Sequence, residues 1–244
     1  MASGWGRIAV GTRLEKQVDS RFVCVWSELI TKGLRKGDGF LVASDLPAHR
    51  AANHLVRGFL KTPCDTLLML DSDADVGPGF IEEFRNVEAG WDYDILQAFY
   101  TRRGWPPEAI WLQALGMGNG ESDEPQLVQC LVTADNITTR VAAIGTHAVL
   151  IRREVFVGLL GDADPDKFEW FWYPRGEKQS EDVAFSLEAR RAGFKLGATT
   201  SAKAGHISRV TTGWETYQEY LRLNGTEQKA IENAQEKGWH VEMH

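Results

Sequence analysis

Apolar residues in the first third of the chain form short unbroken runs separated by stretches of helical spacing, a pattern that predicts a layered α/β fold. "RIAV" (7–10) is a short strand ending in a Gly-Thr turn. Residues 15–34 then carry Val18, Phe22, Val25, Trp26, Leu29 and Ile30 on one helical face. "GDGFLVAS" reads as a turn and a second strand, Ala48 to Leu60 as a helix, and "TLLML" (66–70) as a third strand. Strands buried on both faces show continuous rather than alternating hydrophobicity, so these runs belong to a parallel sheet covered by helices.

The later pattern is looser. "YDILQAFYTRRGWPPEAIW" predicts a strand, a Pro-Pro loop and another strand, and the Gly-rich, acidic "GMGNGESDEPQ" (116–126) an exposed loop or hairpin. "AVLIRREVFVGLL" (148–160) is a strand entering a helix. "SEDVAFSLEARRAGFKLGA" is a capped helix, a stop at Gly193 and a strand, and Trp214 to Gly238 carries one or two amphipathic helices. There is no internal repeat and no linker of domain-separating length. Residues 1–244 are therefore read as one domain.

Composition narrows the class. The chain has 244 residues, 43% hydrophobic and 25% charged, as in ordinary globular proteins. No apolar run is long enough to span a bilayer, and "MASGWGRIAVGTR" lacks the apolar segment of a signal peptide. Three cysteines (Cys24, Cys64, Cys130), without a CxxC pair, fit a reducing compartment, so a cytoplasmic location is expected. A net charge of -7 argues against a surface that grips nucleic acid all over, and leaves room for a local basic patch.

The chemistry concentrates in "LLMLDSDADVGPGF" (67–80), where Asp71, Asp73 and Asp75 alternate behind a buried strand. One reading is a calcium loop, with these acids at positions 1, 3 and 5 and Glu82 at position 12. Against it, Val76 occupies the position where the sharp turn needs Gly, and the loop is entered from a strand. A second reading is a polar turn that caps a helix. A third places Asp71 and Asp73 at the carboxyl end of a parallel strand, where α/β sheets bind ligands. Residues i and i+2 of a strand face one way, so the two would address one cation together. Three acids without a neighbouring base repel one another, which favours the cation.

Three ordered blocks carry a family resemblance. "LLMLDSDADV", "AIGTHAVLIRREVF" and "SEDVAFSLEARRAGFKLGATTSAKAGHIS" resemble the DxD segment, the middle strand-helix block and the ED helix with its following Gly-His in GT-A glycosyltransferases, especially the family 2-like group. "AHRAANHLVRGFL" resembles the helix before the DxD strand. The matched segments span roughly residues 7 to 208. The resemblance implies a GT-A (Rossmann-like) fold, a nucleotide-sugar donor such as a UDP-sugar, Mn²⁺ or Mg²⁺, and glycosyl transfer to a hydroxyl.

Carried onto this sequence, the resemblance makes Asp73 a metal ligand, Asp71 a contact to metal or ribose, and His206 in "AGHIS" the third protein ligand. Imidazole beside carboxylates suits Mn²⁺ better than Mg²⁺; otherwise His206 is a core or surface histidine. Asp182 becomes the general base and Glu181 its reserve, for acceptor binding. The structural alternative is a helix start, with Ser180 as N-cap and both acids complementing a dipole that would lower the Asp182 pKa. Thr12, Arg13, Asp45, Arg50, Asn53 and Ser72 are expected around the nucleotide, and Arg102 and Arg103 at the diphosphate or sugar. Thr12 is equally a turn residue, and Arg50, Arg102 and Arg103 solvated charges. In "FEWFWYPRGEKQ" Trp172 is a candidate acceptor wall, although dense aromatics usually fill a core. Arg152, Arg153, Arg190 and Arg191 read as solvated helix charges.

Other signals fall away. "GMGNG" lacks the strand and helix that give a dinucleotide loop its function, and His49 and His54 do not share a helical face. There is no QxxRW segment of the processive synthases. The acceptor stays open among glycans, lipids, proteins and hydroxymethylated DNA bases. Two competing functions remain: a nucleotidyltransferase, which also uses paired aspartates, and a non-catalytic sugar- or calcium-binding module.

Overall fold

The computed structural model describes residues 4–14, 18–102, 107–115, 126–174, 179–207, 213–223, 232 and 240–241. Strand β1 (Ile8–Leu14) leads to α1 (Ser20–Glu28), a π-helical turn (Leu29–Gly33), β2 (Gly39–Ser44), α2 (Ala48–Leu60), β3 (Thr66–Asp71) and the short β4 (Ala74–Asp75). Then come α3 (Phe80–Arg85), a 3-10 turn (Glu88–Asp92), β5 (Ile95–Phe99), β6 (Leu112–Leu115), β7 (Gln126–Leu131), β8 (Thr138–Arg140) and β9 (Ala148–Arg152). The chain continues through α4 (Arg153–Leu160), α5 (Glu181–Arg191), β10 (Leu196–Lys203), β11 (Gly205–His206), α6 (Trp214–Leu223) and β12 (His240–Val241). Arg103, loop residues 116–125 and most of the tail beyond α6 lie outside the described residues.

Seven strands form the central sheet, in the order β2-β1-β3-β9-β5-β10-β8. β1 pairs in parallel with β2 and β3, and β5 with β10. Two strands run against this direction: β9, between β3 and β5, and β8 at the far edge. The sheet is thus mostly parallel, as the apolar runs predict, with a reversed strand at its centre. A separate three-stranded sheet joins β6, β7 and β12.

Alternation along the strands fills two cores. Ala9, Leu67, Met69, Val149, Ile151 and Ala198 face the layer of α2, α4, α5 and α6, meeting Phe59, Phe156, Phe185 and Tyr217. Ile8, Val10, Leu68, Leu70, Leu96 and Leu150 face the opposite layer, meeting Leu29, Phe80, Ile81 and Phe84. Because these side chains are essentially inaccessible to water, each of the Val, Leu, Ile, Met and Phe residues contributes roughly 1.5–3 kcal/mol of burial.

Two arginines expected in solvent are structural. Arg153 donates to the carbonyls of Phe59 (3.2 Å), Leu60 (3.1 Å), Thr62 (2.7 Å) and Cys64 (2.9 Å), satisfying the open end of α2. Arg152 donates to Gly4, Trp91 and Tyr93 carbonyls and stacks on Trp5. A helix-terminal guanidinium has five donors, and backbone carbonyls left unpaired nearby draw it inward.

The site follows from strand direction. A reversed strand places its N-terminal end beside the carboxyl end of its neighbour, so the residues before β9 meet the residues after β3. Asp71 N donates to the His147 carbonyl (3.0 Å). β4 pairs with β11, setting His206 opposite Ala74, and Ile207 N donates to the Asp73 carbonyl (2.6 Å). α5 precedes a parallel strand and therefore begins at the same edge of the sheet.

Candidate active site

A cleft of about 320 Å³ opens at this edge, and Arg13, Asp71, Tyr100, Thr146, Asp182 and His206 are among the residues lining it. Its floor is polar because the strands end there and expose acids from β3 and α5. Both acid blocks named from sequence, Asp71 and Glu181 with Asp182, face it.

Asp71 and Asp73 do not act as an i, i+2 pair on one strand. β3 ends at Asp71 and the chain turns through Ser72. Asp71 keeps the orientation of Leu67 and Met69 and accepts from Arg13 Nε (2.8 Å) and, through the same Oδ1, from Arg13 Nη2. Arg13 Nη2 also donates to Thr146 Oγ1 (2.9 Å), and its Nη1 lies 3.9 Å from Glu181 Oε1. Burial by itself would raise the Asp71 carboxyl. The Arg13 charge and the nearby His147 ring outweigh that and hold it well below the usual carboxylate range. For Arg13, burial opposes its charge, while Asp71, Glu181 and Asp182 together raise its pKa. Asp71 is therefore held by Arg13 through Oδ1, while its Oδ2 faces a group of side chains that could hold a cation.

That group is Asp73, His147 and His206, whose ligand atoms all lie within 4.8 Å of one another. His147 Nδ1 is 3.6 Å from Asp73 Oδ1 and 3.6 Å from Asp71 Oδ2, and His206 Nε2 is 4.0 Å from Asp73 Oδ2. The two imidazoles stack with centroids 3.8 Å apart, and Tyr100 packs on both. Four acids converge here against one buried guanidinium, so the site has an excess of negative charge that a cation offsets. The donor set, two nitrogens and one carboxylate oxygen, fits a divalent ion.

Asp182 stands across the cleft. Its Oδ1 accepts from Val183 N (2.9 Å) and from Ser180 Oγ, so Ser180 sits at the N-cap position while its hydroxyl serves the aspartate and not the helix backbone. Burial first, then the Glu181 charge, raise the Asp182 carboxyl above its ordinary value. This reverses the expectation from the helix dipole: desolvation exceeds what the helix N-terminus gives back. The Tyr100 phenol is also held well above its usual pKa, by burial and by Asp182 and Asp71. A Cβ at Gly145 would overlap the Tyr100 hydroxyl and lie 3.4 Å from Asp182 Oδ2, so only glycine leaves that point of the floor open.

The expected nucleotide residues scatter. Asn53 is buried and spent on the backbone of Phe171, donating to its carbonyl (2.7 Å) and accepting from its N–H (3.1 Å). Thr12 is fully buried within β1, paired with Val42 and Leu70, so the strand runs on through the expected Gly-Thr turn. Arg50 is exposed on α2, Asp45 is exposed in a left-handed conformation (φ 57°) after β2, and half-buried Ser72 occupies its turn. None of these five lines the cleft, whereas Arg102 does. Asp75 pairs with Gly205 and lines a separate cavity of about 360 Å³. Trp170 and Phe171 are core, whereas Trp172 and Tyr173 are exposed beside α5. Glu82, the last ligand of a calcium loop, pairs instead with Arg35 and Arg85, which removes that loop's closing carboxylate.

Sequence reasoning missed His147, Thr146 and Tyr100. The visible signal was "GTH" immediately before an apolar run: a polar triplet at the mouth of a buried strand. Reading it required knowing that β9 is reversed.

No protein-family model matches the sequence, and no curated protein matches it. Among solved structures, A197 from STIV aligns over 83% of this chain and 86% of its own, at 17% identity and a TM-score of 0.49. GalNAc-T7, in its structure with UDP, GalNAc and Mn²⁺, aligns over 89% of this chain at 14% identity and a TM-score of 0.55. This chain spans about half of GalNAc-T7, 48% of its length. At that identity the likeness is one of fold: a mostly parallel seven-stranded sheet flanked by helices, of the GT-A-like Rossmann type.

Proposed function

We propose that the protein is a metal-dependent glycosyltransferase that moves a sugar from a nucleotide-sugar donor, a UDP-sugar, to a hydroxyl acceptor. The observation that carries this reading is the cleft in which His147 and His206, grouped with Asp73 as candidate cation ligands, meet a carboxylate whose pKa is raised, Asp182. Structural neighbour GalNAc-T7 holds UDP, GalNAc and Mn²⁺ on the same type of fold, which supports the donor class.

Asp73 and His206 would hold the ion, which supplies Lewis acidity toward the departing diphosphate. Arg13 Nη1, buried with no hydrogen-bond acceptor among the described residues, donates to a donor-sugar or phosphate oxygen. Arg102, exposed at the rim, attracts the diphosphate. Asp182 Oδ2 takes the acceptor hydroxyl proton while Oδ1 stays anchored by Ser180 and Val183. A carboxylate raised above its ordinary pKa is the stronger base for that step. Tyr173 and Trp172, exposed near the start of α5, flank the acceptor's approach.

The test is a donor screen with Mn²⁺ that reads free nucleoside diphosphate, followed by mass spectrometry of glycan and hydroxymethylated-DNA acceptors. Release of UDP with a hexose mass added to an acceptor is expected. Pyrophosphate as product would instead identify a nucleotidyltransferase, and thermal stabilisation by Ca²⁺ alone a binding module.

A further inference from the structure

We infer that His147 is a cation ligand in its own right, and that the resulting two-imidazole, one-carboxylate set selects an ion that accepts nitrogen, such as Mn²⁺, Co²⁺ or Zn²⁺, over Mg²⁺ and Ca²⁺. The inference deepens the metal part of the proposed function and does not depend on the donor or acceptor.

The tautomer of His147 is fixed by its surroundings. Nε2 lies 3.0 Å from the Gly205 carbonyl, which can only accept, so Nε2 carries the hydrogen. Nδ1 is then a lone pair when the ring is neutral. The ring is 3% exposed, and Nδ1 has no hydrogen-bond partner among the described residues. It is nonetheless directed between Asp71 Oδ2 and Asp73 Oδ1, each 3.6 Å away. That distance is too long for a hydrogen bond. An ion held by Nδ1 and Asp73 Oδ1 would close that gap by coordination.

The spacing agrees. Atoms about 2.1 Å from a common ion stand roughly 3–3.4 Å apart at octahedral or tetrahedral angles. His147 Nδ1 is 3.6 Å from Asp73 Oδ1 and His206 Nε2 4.0 Å from Asp73 Oδ2, with all three ligand atoms within 4.8 Å, so binding would draw the side chains together by roughly 0.2–1.4 Å. The Gly205 carbonyl is the outer partner that a ligating histidine requires, and it belongs to the residue preceding His206. One two-residue strand therefore supplies one imidazole and orients the other. Mg²⁺ and Ca²⁺ prefer oxygen ligands and bind poorly to a site two-thirds nitrogen.

The experiment uses the full chain without nucleotide. Mn²⁺ binding is followed by electron paramagnetic resonance, and Mg²⁺ and Ca²⁺ by their competition with it. Mn²⁺ should bind at least 100-fold more tightly than Mg²⁺, and pulsed spectra should show two inequivalent imidazole nitrogens. His147→Ala should weaken Mn²⁺ about 100-fold. His147→Gln, which can keep the bond to Gly205 and offer oxygen, should narrow the Mn²⁺/Mg²⁺ ratio. A single coupled nitrogen in the wild type, or unchanged Mn²⁺ affinity in a folded His147→Ala, overturns the inference. The wild-type spectrum decides should that variant not fold. Absence of UDP release with two nitrogens observed would defeat the glycosyltransferase reading and leave this inference standing.

Discussion

Asp182 holds one oxygen against Ser180 and Val183 and turns the other toward the cleft floor. Its folded pKa is raised, by burial and then Glu181, so ionisation occurs at higher pH in the fold than in the open chain. For a general base, the acid limb of kcat/KM should lie above the ordinary carboxylate range, and Glu181→Gln should move it down. Stability runs the other way: this group favours the fold at low pH, and the contribution is lost as pH rises through its folded pKa. Asp182→Asn should therefore abolish turnover, keep Mn²⁺ binding, and raise Tm relative to wild type at pH 8 more than at pH 5. Equal Tm differences at both pH values would remove the assigned burial cost. Gly145 gives a second residue-level test. Gly145→Ala forces its methyl onto the Tyr100 hydroxyl, and overpacking of that kind costs about 1–3 kcal/mol. Adding Tyr100→Phe should recover most of the lost Tm, and no recovery would mean that the strain lies elsewhere.

At the scale of elements, α2 is tied to the segment before α5 through Asn53 and to the β3 entrance through Arg153. Asn53→Ala leaves both Phe171 backbone groups buried without their partner, a cost of about 2–3 kcal/mol. For a domain of this size that corresponds to a Tm drop of roughly 4–12 °C by thermal melting, with Mn²⁺ affinity of the folded protein unchanged. A loss of nucleotide binding without loss of Tm would restore Asn53 to the donor site. α2 itself was legible to the residue, Ala48 to Leu60, because its apolar face repeats at helical spacing. Its polar Asn was not, because a buried amide facing a distant backbone looks the same in sequence as one facing a ligand. A related limit hid the direction of β9. Its composition declared a buried strand, but period and hydrophobicity carry no direction, and the direction brings His147 to the acids.

For the whole molecule, the alternation of apolar runs and helical faces was enough to expect a mostly parallel sheet, which is the architecture found. The positions of Asp71, Asp73, Asp182 and His206 at one edge follow from that sheet, since carboxyl ends of parallel strands and the N-termini of their preceding helices meet there. What the pattern did not contain was the local pairing: Arg13 holds Asp71, and His147 stands beside both Asp71 and Asp73. Charge balance at this scale agrees with the proposed cation, since Asp71, Glu181 and Asp182 line the cleft with Arg13 and Arg102, and Asp73 adds a further acid beside His147 and His206. The central claim is that an ion at Asp73 joins the protein to a nucleoside diphosphate. Calorimetric titration of UDP, with and without Mn²⁺, into wild type and Asp73→Ala measures it directly. The account predicts binding only with Mn²⁺ and only in wild type, weakened by at least 100-fold in the variant; equal UDP affinity in all four combinations would contradict it.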